Sequence, residues 1–146
     1  MKRGFGLIQA LMIILLVGGI LAIAMKYANV GAKQTADIYA KESAQLFMNS
    51  AIELTLLAIN GFERNATTKC LHQVHITSID QRFYADINIT KYFLFKDENC
   101  DERTQIIDTE DSHGMVMLEV IVTTNPYNEK NKGKTIRLIR RTLQRP

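Results

Sequence analysis

The chain opens with Lys2 and Arg3 and then carries no charged residue until Lys26. Residues 5–25 are uncharged, and twelve of them are Leu, Ile, Val or Phe. An α-helix over that stretch rises roughly 30 Å, the thickness of a bilayer's hydrocarbon core. Its apolar side chains favour insertion by roughly 5 kcal/mol, which outweighs Gln9 and the glycines. A small domain rarely buries so long a stretch on every face. The pattern predicts a membrane-spanning helix, with Lys2 and Arg3 kept on the cytoplasmic side and the remainder exported.

Past this stretch the apolar positions thin to a helical stripe. Ala36, Ala40, Ala44, Phe47, Ala51, Leu54 and Ala58 recur at spacings of three and four, so they share one face. Lys33, Asp37, Lys41, Glu42, Asn49 and Glu53 occupy most of the remaining surface. No proline interrupts the run, and Asn60-Gly61 supplies a stop. Phe5 to Ile59 therefore reads as one helix of roughly 80 Å, with residues 26–60 its amphipathic continuation. The repeated face lasts only about three heptads, short for a coiled-coil stalk.

Beyond Gly61 the period changes to two. Phe83, Ala85, Ile87 and Ile89 alternate with Tyr84, Asp86, Asn88 and Thr90, the pattern of a half-buried antiparallel strand. Val116, Leu118, Val120 and Val122 repeat it. A weaker strand runs from Leu71 to Ile79, with Asp80-Gln81-Arg82 turning into Phe83. Residues 124–134, with Asn125-Pro126 and Lys132-Gly133-Lys134, read as a hairpin loop, and Ile136 to Leu143 returns as a strand. The expected fold is α+β: a long N-terminal helix on a small antiparallel sheet of about four strands, with residues 61–146 a β-rich domain.

Composition narrows the picture. The 146 residues leave room for one domain beyond the apolar segment. A net charge of +3 is too modest to point to nucleic acid. Cys70 and Cys100 both fall in the exported part, where a disulfide would close a loop of about 30 residues; buried free thiols are the alternative. His72 and His75 lie near Cys70, but residues three apart on a strand point to opposite faces, which argues against a shared metal. Asp97, Glu98, Asp101, Glu102, Asp108, Glu110 and Asp111 form an acidic region with oxygen ligands suited to calcium, yet in no calcium-loop spacing. A solvated loop is the simpler reading, and no cofactor is predicted. Arg137, Arg140, Arg141 and Arg145 read as a charged strand edge, with phosphate or an acidic partner as the alternative. No nucleotide loop, paired nucleophile and base, or metal-ligand spacing marks the chain as an enzyme.

Three fates are open to the N-terminal segment. A secretory signal would be cleaved near Ala22-Ile23-Ala24, and a signal anchor would be kept whole. The third rests on Lys2-Arg3-Gly4-Phe5-Gly6-Leu7-Ile8-Gln9-Ala10-Leu11. This run resembles the prepilin-peptidase signal of type IV pilins and type II secretion pseudopilins, a short basic leader ending in Gly before Phe and an apolar helix. The resemblance implies a leader of residues 1–4, cleavage between Gly4 and Phe5, and N-methylation of Phe5. It also implies a membrane and assembly helix over residues 5–25 and a pilin-like fold. The expected partners are prepilin peptidase, other pilin-like subunits, an inner-membrane assembly platform and the membrane itself. Where the family usually places Glu, this chain has Gln9, which offers only neutral hydrogen bonds. In the family that departure goes with minor subunits, notably at a filament tip.

The resemblance therefore implies a minor subunit of a type II secretion, type IV pilus or DNA-uptake machine, in the inner membrane with its C-terminal domain in the periplasm. A bitopic protein with an uncleaved anchor and a sensor or scaffold domain is the alternative. Two sequons complete the inventory. Glu63-Arg64-Asn65-Ala66-Thr67 and Asp86-Ile87-Asn88-Ile89-Thr90 each place an acid two residues before Asn. That form resembles the acceptor of bacterial periplasmic oligosaccharyltransferases. Asn65, in a loop, is the more accessible of the two, and Asn88 sits mid-strand.

Overall fold

The structure, a computed structural model, describes residues 5–63, 69–95, 100, 103–107, 114–125 and 135–146. A single helix, α1, runs Phe5–Asn60. Its residues up to Ala40 form one compact unit, and Lys41–Pro146 form a second. The first unit is helix alone among the described residues, and nearly all its side chains are exposed.

The second unit is built on five strands: β1 (Gln73–Thr77), β2 (Phe83–Leu94), β3 (Thr104–Ile106), β4 (Met115–Thr124) and β5 (Arg137–Gln144). They form one sheet in the order β1-β2-β4-β5. Those four run antiparallel to their neighbours, whereas β3 pairs with β2 in parallel. The four expected strands are present, and β3 is an addition. β4 pairs with β2 from Phe83 to Phe93, so β1 and β3 share the opposite edge of β2. β1 takes Tyr84 to Asn88 and β3 takes Tyr92 to Leu94.

Between those two stretches the ladder slips. Ile89 faces Leu118 and Lys91 faces Met117, leaving Thr90 without an opposite residue in β4. Before this bulge the buried positions are Phe83, Ala85, Ile87 and Ile89; after it they are Tyr92 and Leu94. An extra residue reverses strand parity, so the bulge keeps both ends of β2 facing the core. Arg103 closes the gap on the other edge by donating to the Ile89 carbonyl over 3.3 Å.

One face of the sheet packs against the second part of α1. Ala44, Met48, Ala51 and Ile52 join Ile87, Ile89, Leu118, Val120 and Val122 in a single core, and Phe47 stacks on Phe83 at 6.1 Å. Thr55 is buried among them, and its hydroxyl donates to the Ala51 carbonyl at 2.7 Å. The helix presents a different stripe from the one its alanines suggest. Ala36, Leu54 and Ala58 stay exposed, while Met48, Ile52 and Thr55 are buried. At 100° per residue Leu54 lies about a quarter turn from the middle of the buried stripe.

Cys70 and Cys100 are joined in a disulfide. Both are buried, and the bridge ties the segment before β1 to the segment before β3. The Tyr92 hydroxyl donates to the Leu71 carbonyl beside it. The β1–β2 turn is as expected at Asp80-Gln81-Arg82. Gln81 takes a positive φ of 56° there, and the Asp80 carboxylate accepts from the Ser78 hydroxyl and the Arg82 amide.

Candidate functional site

The first part of α1 is apolar on every side. From Leu7 to Met25 the large aliphatic residues are at least half exposed. The most apolar 18-residue window has a mean hydropathy of 2.7, and none of it is buried. In water such a surface would be strongly unfavourable, at about 25 cal/mol for each Å² left exposed. Length and composition suit it to cross a membrane once. In lipid its backbone groups are satisfied within the helix, so only side chains meet the surroundings.

Three polar or small features break this apolar cylinder. Gln9 is exposed, and its amide offers two donors and an acceptor to whatever adjoins it. Gly18 and Gly19 have open space where a Cβ would stand, so nothing within the chain requires glycine there. Gly6 is likewise open. Gly4 and the side chain of Phe5 lie outside the described residues, though Phe5 begins α1.

The remaining sequence candidates scatter over the second unit. Asn88 lies in β2 on the sheet face away from α1, half-buried between Gln73 of β1 and Glu119 of β4. That setting is tighter than an accessible loop. Asn65 and the acidic residues Asp97, Glu98, Asp101, Glu102, Asp108, Glu110 and Asp111 lie outside the described residues, as does most of the 124–134 loop. His75 points away from α1 and His72 precedes β1, its carbonyl accepting from the Ile89 amide. Among the described residues no three of His, Cys, Asp and Glu gather to hold a metal.

The sheet register brings together a cluster that the sequence alone does not assemble. His75 Nδ1 sits 2.7 Å from the Tyr84 hydroxyl and 3.3 Å from Asp86 Oδ1, and Gln73 donates to the same carboxylate oxygen at 2.7 Å. The Ser78–Asp80–Arg82 turn fixes this pairing, and it was the signal available for finding it. All four residues sit on the sheet face away from α1, where Tyr84 also has Thr77 and Thr123 directly opposite, and the cluster reads as cross-strand pairing. Near the end of α1 a cleft of about 400 Å³ is lined by Ile59, Phe62, Tyr92, Leu94, Gly114 and Pro146 among others. Among the described residues that line it, Tyr92 is the only titratable side chain, and its hydroxyl is already engaged.

The feature with a clear physical demand on its surroundings is therefore the apolar helix. Compared with family models, curated proteins and solved structures, the chain matches none.

Proposed function

We propose that this chain is a minor pilin-like or pseudopilin subunit that acts by assembly and not by catalysis. The carrying observation is the continuity of α1. One helix, Phe5–Asn60, follows Arg3-Gly4 in the sequence, stays apolar through Met25 and packs its second part into the core of an α+β unit. On this reading prepilin peptidase removes residues 1–4 and the new Phe5 amino group is methylated. The helix then waits in the inner membrane as a single span, with the disulfide-bonded second unit in the oxidising periplasm. Packing against other pilin-like subunits, driven from an inner-membrane platform, draws it into a filament of a secretion, pilus or DNA-uptake machine.

Gln9 supports a minor position over a shaft position. A neutral amide cannot neutralise a neighbouring subunit's N-terminal ammonium as a carboxylate would. The same residue favours the second reading, a bitopic protein that keeps its leader as a signal anchor and displays a periplasmic scaffold or sensor domain.

The N-terminal sequence and intact mass of the native protein separate the two. Loss of residues 1–4 with a methylated Phe5, blocked by Gly4→Val, is the expected result. An intact leader selects the signal anchor, and cleavage after Ala24 overturns both.

A further inference from the structure

β5 ends the strand order, and among the described residues no element pairs with its second edge. Its pairing with β4 is regular across its whole length, from Arg137 opposite Thr123 to Gln144 opposite Val116. It is thus an eight-residue edge with no bulge or proline, blunted only by its charged side chains.

The chemistry of this edge is one-sided. Residues 135–146 contain four arginines and no acid. Arg141 pairs with Glu119 at 3.1 Å, and Arg140 donates to the neutral Asn49 side chain at 2.7 Å. Arg137 and Arg145 have no carboxylate partner among the described residues. On the face away from α1, Ile139 and Leu143 alternate with Arg137 and Arg141 and are 58% and 50% exposed.

β4 shows what such a row accepts. Met117, Glu119 and Ile121 stand opposite Leu143, Arg141 and Ile139, an apolar–acidic–apolar row matched to apolar–basic–apolar. The second edge of β5 carries the same side chains and has no pairing strand among the described residues. We propose that β5 is a strand-addition site for an extended segment of another protein in which acidic and aliphatic residues alternate. Main-chain hydrogen bonds supply the attachment, and the arginines select the charge. A second copy of this chain is a poor occupant. In the most fully overlapped two-fold antiparallel registers Arg140 falls opposite Arg140, or Arg141 opposite Arg141 with Arg137 opposite Arg145, and like charges directly opposite repel. The edge thereby rejects itself while accepting an acidic strand, which is specificity by charge. This site does not depend on the fate of the leader.

The test uses the full chain in detergent micelles and a fluorescein-labelled octapeptide alternating glutamate and valine, read by anisotropy. Saturable binding is expected, weakened about tenfold or more by Arg137→Glu with Arg145→Glu and by raised salt. Two peptides N-methylated at alternate residues give the backbone signature. One set of amides faces β5 and the other faces solvent, so one peptide loses binding and the other keeps it. Equal binding of a lysine–valine peptide, equal binding of both N-methylated peptides, or no binding at millimolar peptide overturns the proposal. So does self-association of the chain that Ile139→Pro abolishes.

Discussion

The Thr90 hydroxyl donates to the Met117 carbonyl across 3.0 Å, at the place where β2 slips by one residue against β4. The bulge would otherwise leave that carbonyl short of a ladder partner, so a β-branched hydroxyl residue suits the position. Thr90→Val keeps the shape and loses the bond, with an expected cost of about 1 kcal/mol in denaturant unfolding. Deleting Thr90 is far worse. Strand parity after Ile89 reverts, and Tyr92 and Leu94 turn away from the core. Losing two large buried side chains costs about 2–3 kcal/mol each, enough to unfold a marginal domain. A deletion variant as stable as the Val variant would show that the bulge does not set the facing of β2.

The same bulge explains where sequence reading stopped. Phe83 to Ile89 alternates cleanly, so the first half of β2 was legible from period alone. Tyr92-Phe93-Leu94-Phe95 is apolar without alternation, and its inward set depends on a partner strand that the sequence does not specify locally. β3 escaped for a related reason. Three residues cannot display a period, and Thr104–Ile106 is a strand because β2 offers it backbone bonds. The helix was legible in extent, from absent prolines and the Asn60-Gly61 stop, but not in facing. Alanines are small enough to occur on either face, whereas Met48 and Ile52 are the ones whose burial contributes most. The apolar N-terminal segment needed no partner to be read, since its demand is on the solvent. The His75–Tyr84–Asp86 cluster required the register of the β1–β2 turn.

The disulfide gives a second prediction. Cys70 and Cys100 close a 30-residue separation around β1 and β2. Restricting the unfolded chain in this way is worth about 3.6 kcal/mol on the loop-entropy account. Cys70→Ser with Cys100→Ser should lower the unfolding free energy by about 2–4 kcal/mol. Both cysteines are held in the bridge, so an oxidised wild-type chain should resist thiol alkylation even when denatured, until a reductant is added. Equal stability of the double variant and the oxidised protein would remove the bridge from the account of this unit.

Acid should loosen the β1–β2 turn. The hydrogen bond from the Ser78 hydroxyl, with help from the Arg82 amide and guanidinium, holds the Asp80 carboxyl below the ordinary aspartate value despite some desolvation. A depressed folded value means that the unfolded chain binds the proton first as pH falls. The contribution is fully present above about pH 4 and is lost as pH drops through the folded value. Asp80 is largely exposed, so the effect is small. Wild type should melt above Asp80→Asn at about pH 5, and the two should converge as pH falls through the lowered folded value. A gap that stays constant with pH would mean that the turn gains nothing from the ionised carboxylate.

Packing under the sheet gives a fourth measurement. Ala44 and Ala51 are fully buried on the helix face against β2 and β4, within a core that leaves neither any exposed surface. A leucine there must push helix and sheet apart, at about 1–3 kcal/mol. Leu46, on the opposite side of the same helix, is 70% exposed, and Leu46→Ala should change stability by less than about 0.5 kcal/mol. Ala51→Leu without loss, or Leu46→Ala with a large one, would put the buried stripe on the wrong side of α1.

Gly18 and Gly19 set the last prediction, because they separate what the chain needs from what its surroundings need. Beyond the adjoining residues and the helix's own local backbone, nothing lies within 4 Å of a Cβ built at either position, so alanine fits both. In a helix interior each replacement should stabilise by up to about 1 kcal/mol, since glycine gives up more backbone freedom on ordering. The helix in micelles should therefore melt higher in Gly18→Ala with Gly19→Ala. Assembly should move the other way. If α1 packs closely on neighbouring helices in lipid, two added methyl groups keep the backbones apart. Cross-linking between subunits in native membranes should then fall while single-chain stability rises. A rise in both would make the glycines an accident of this helix, and a fall in both would mean that α1 bends at Gly18-Gly19 in its working state.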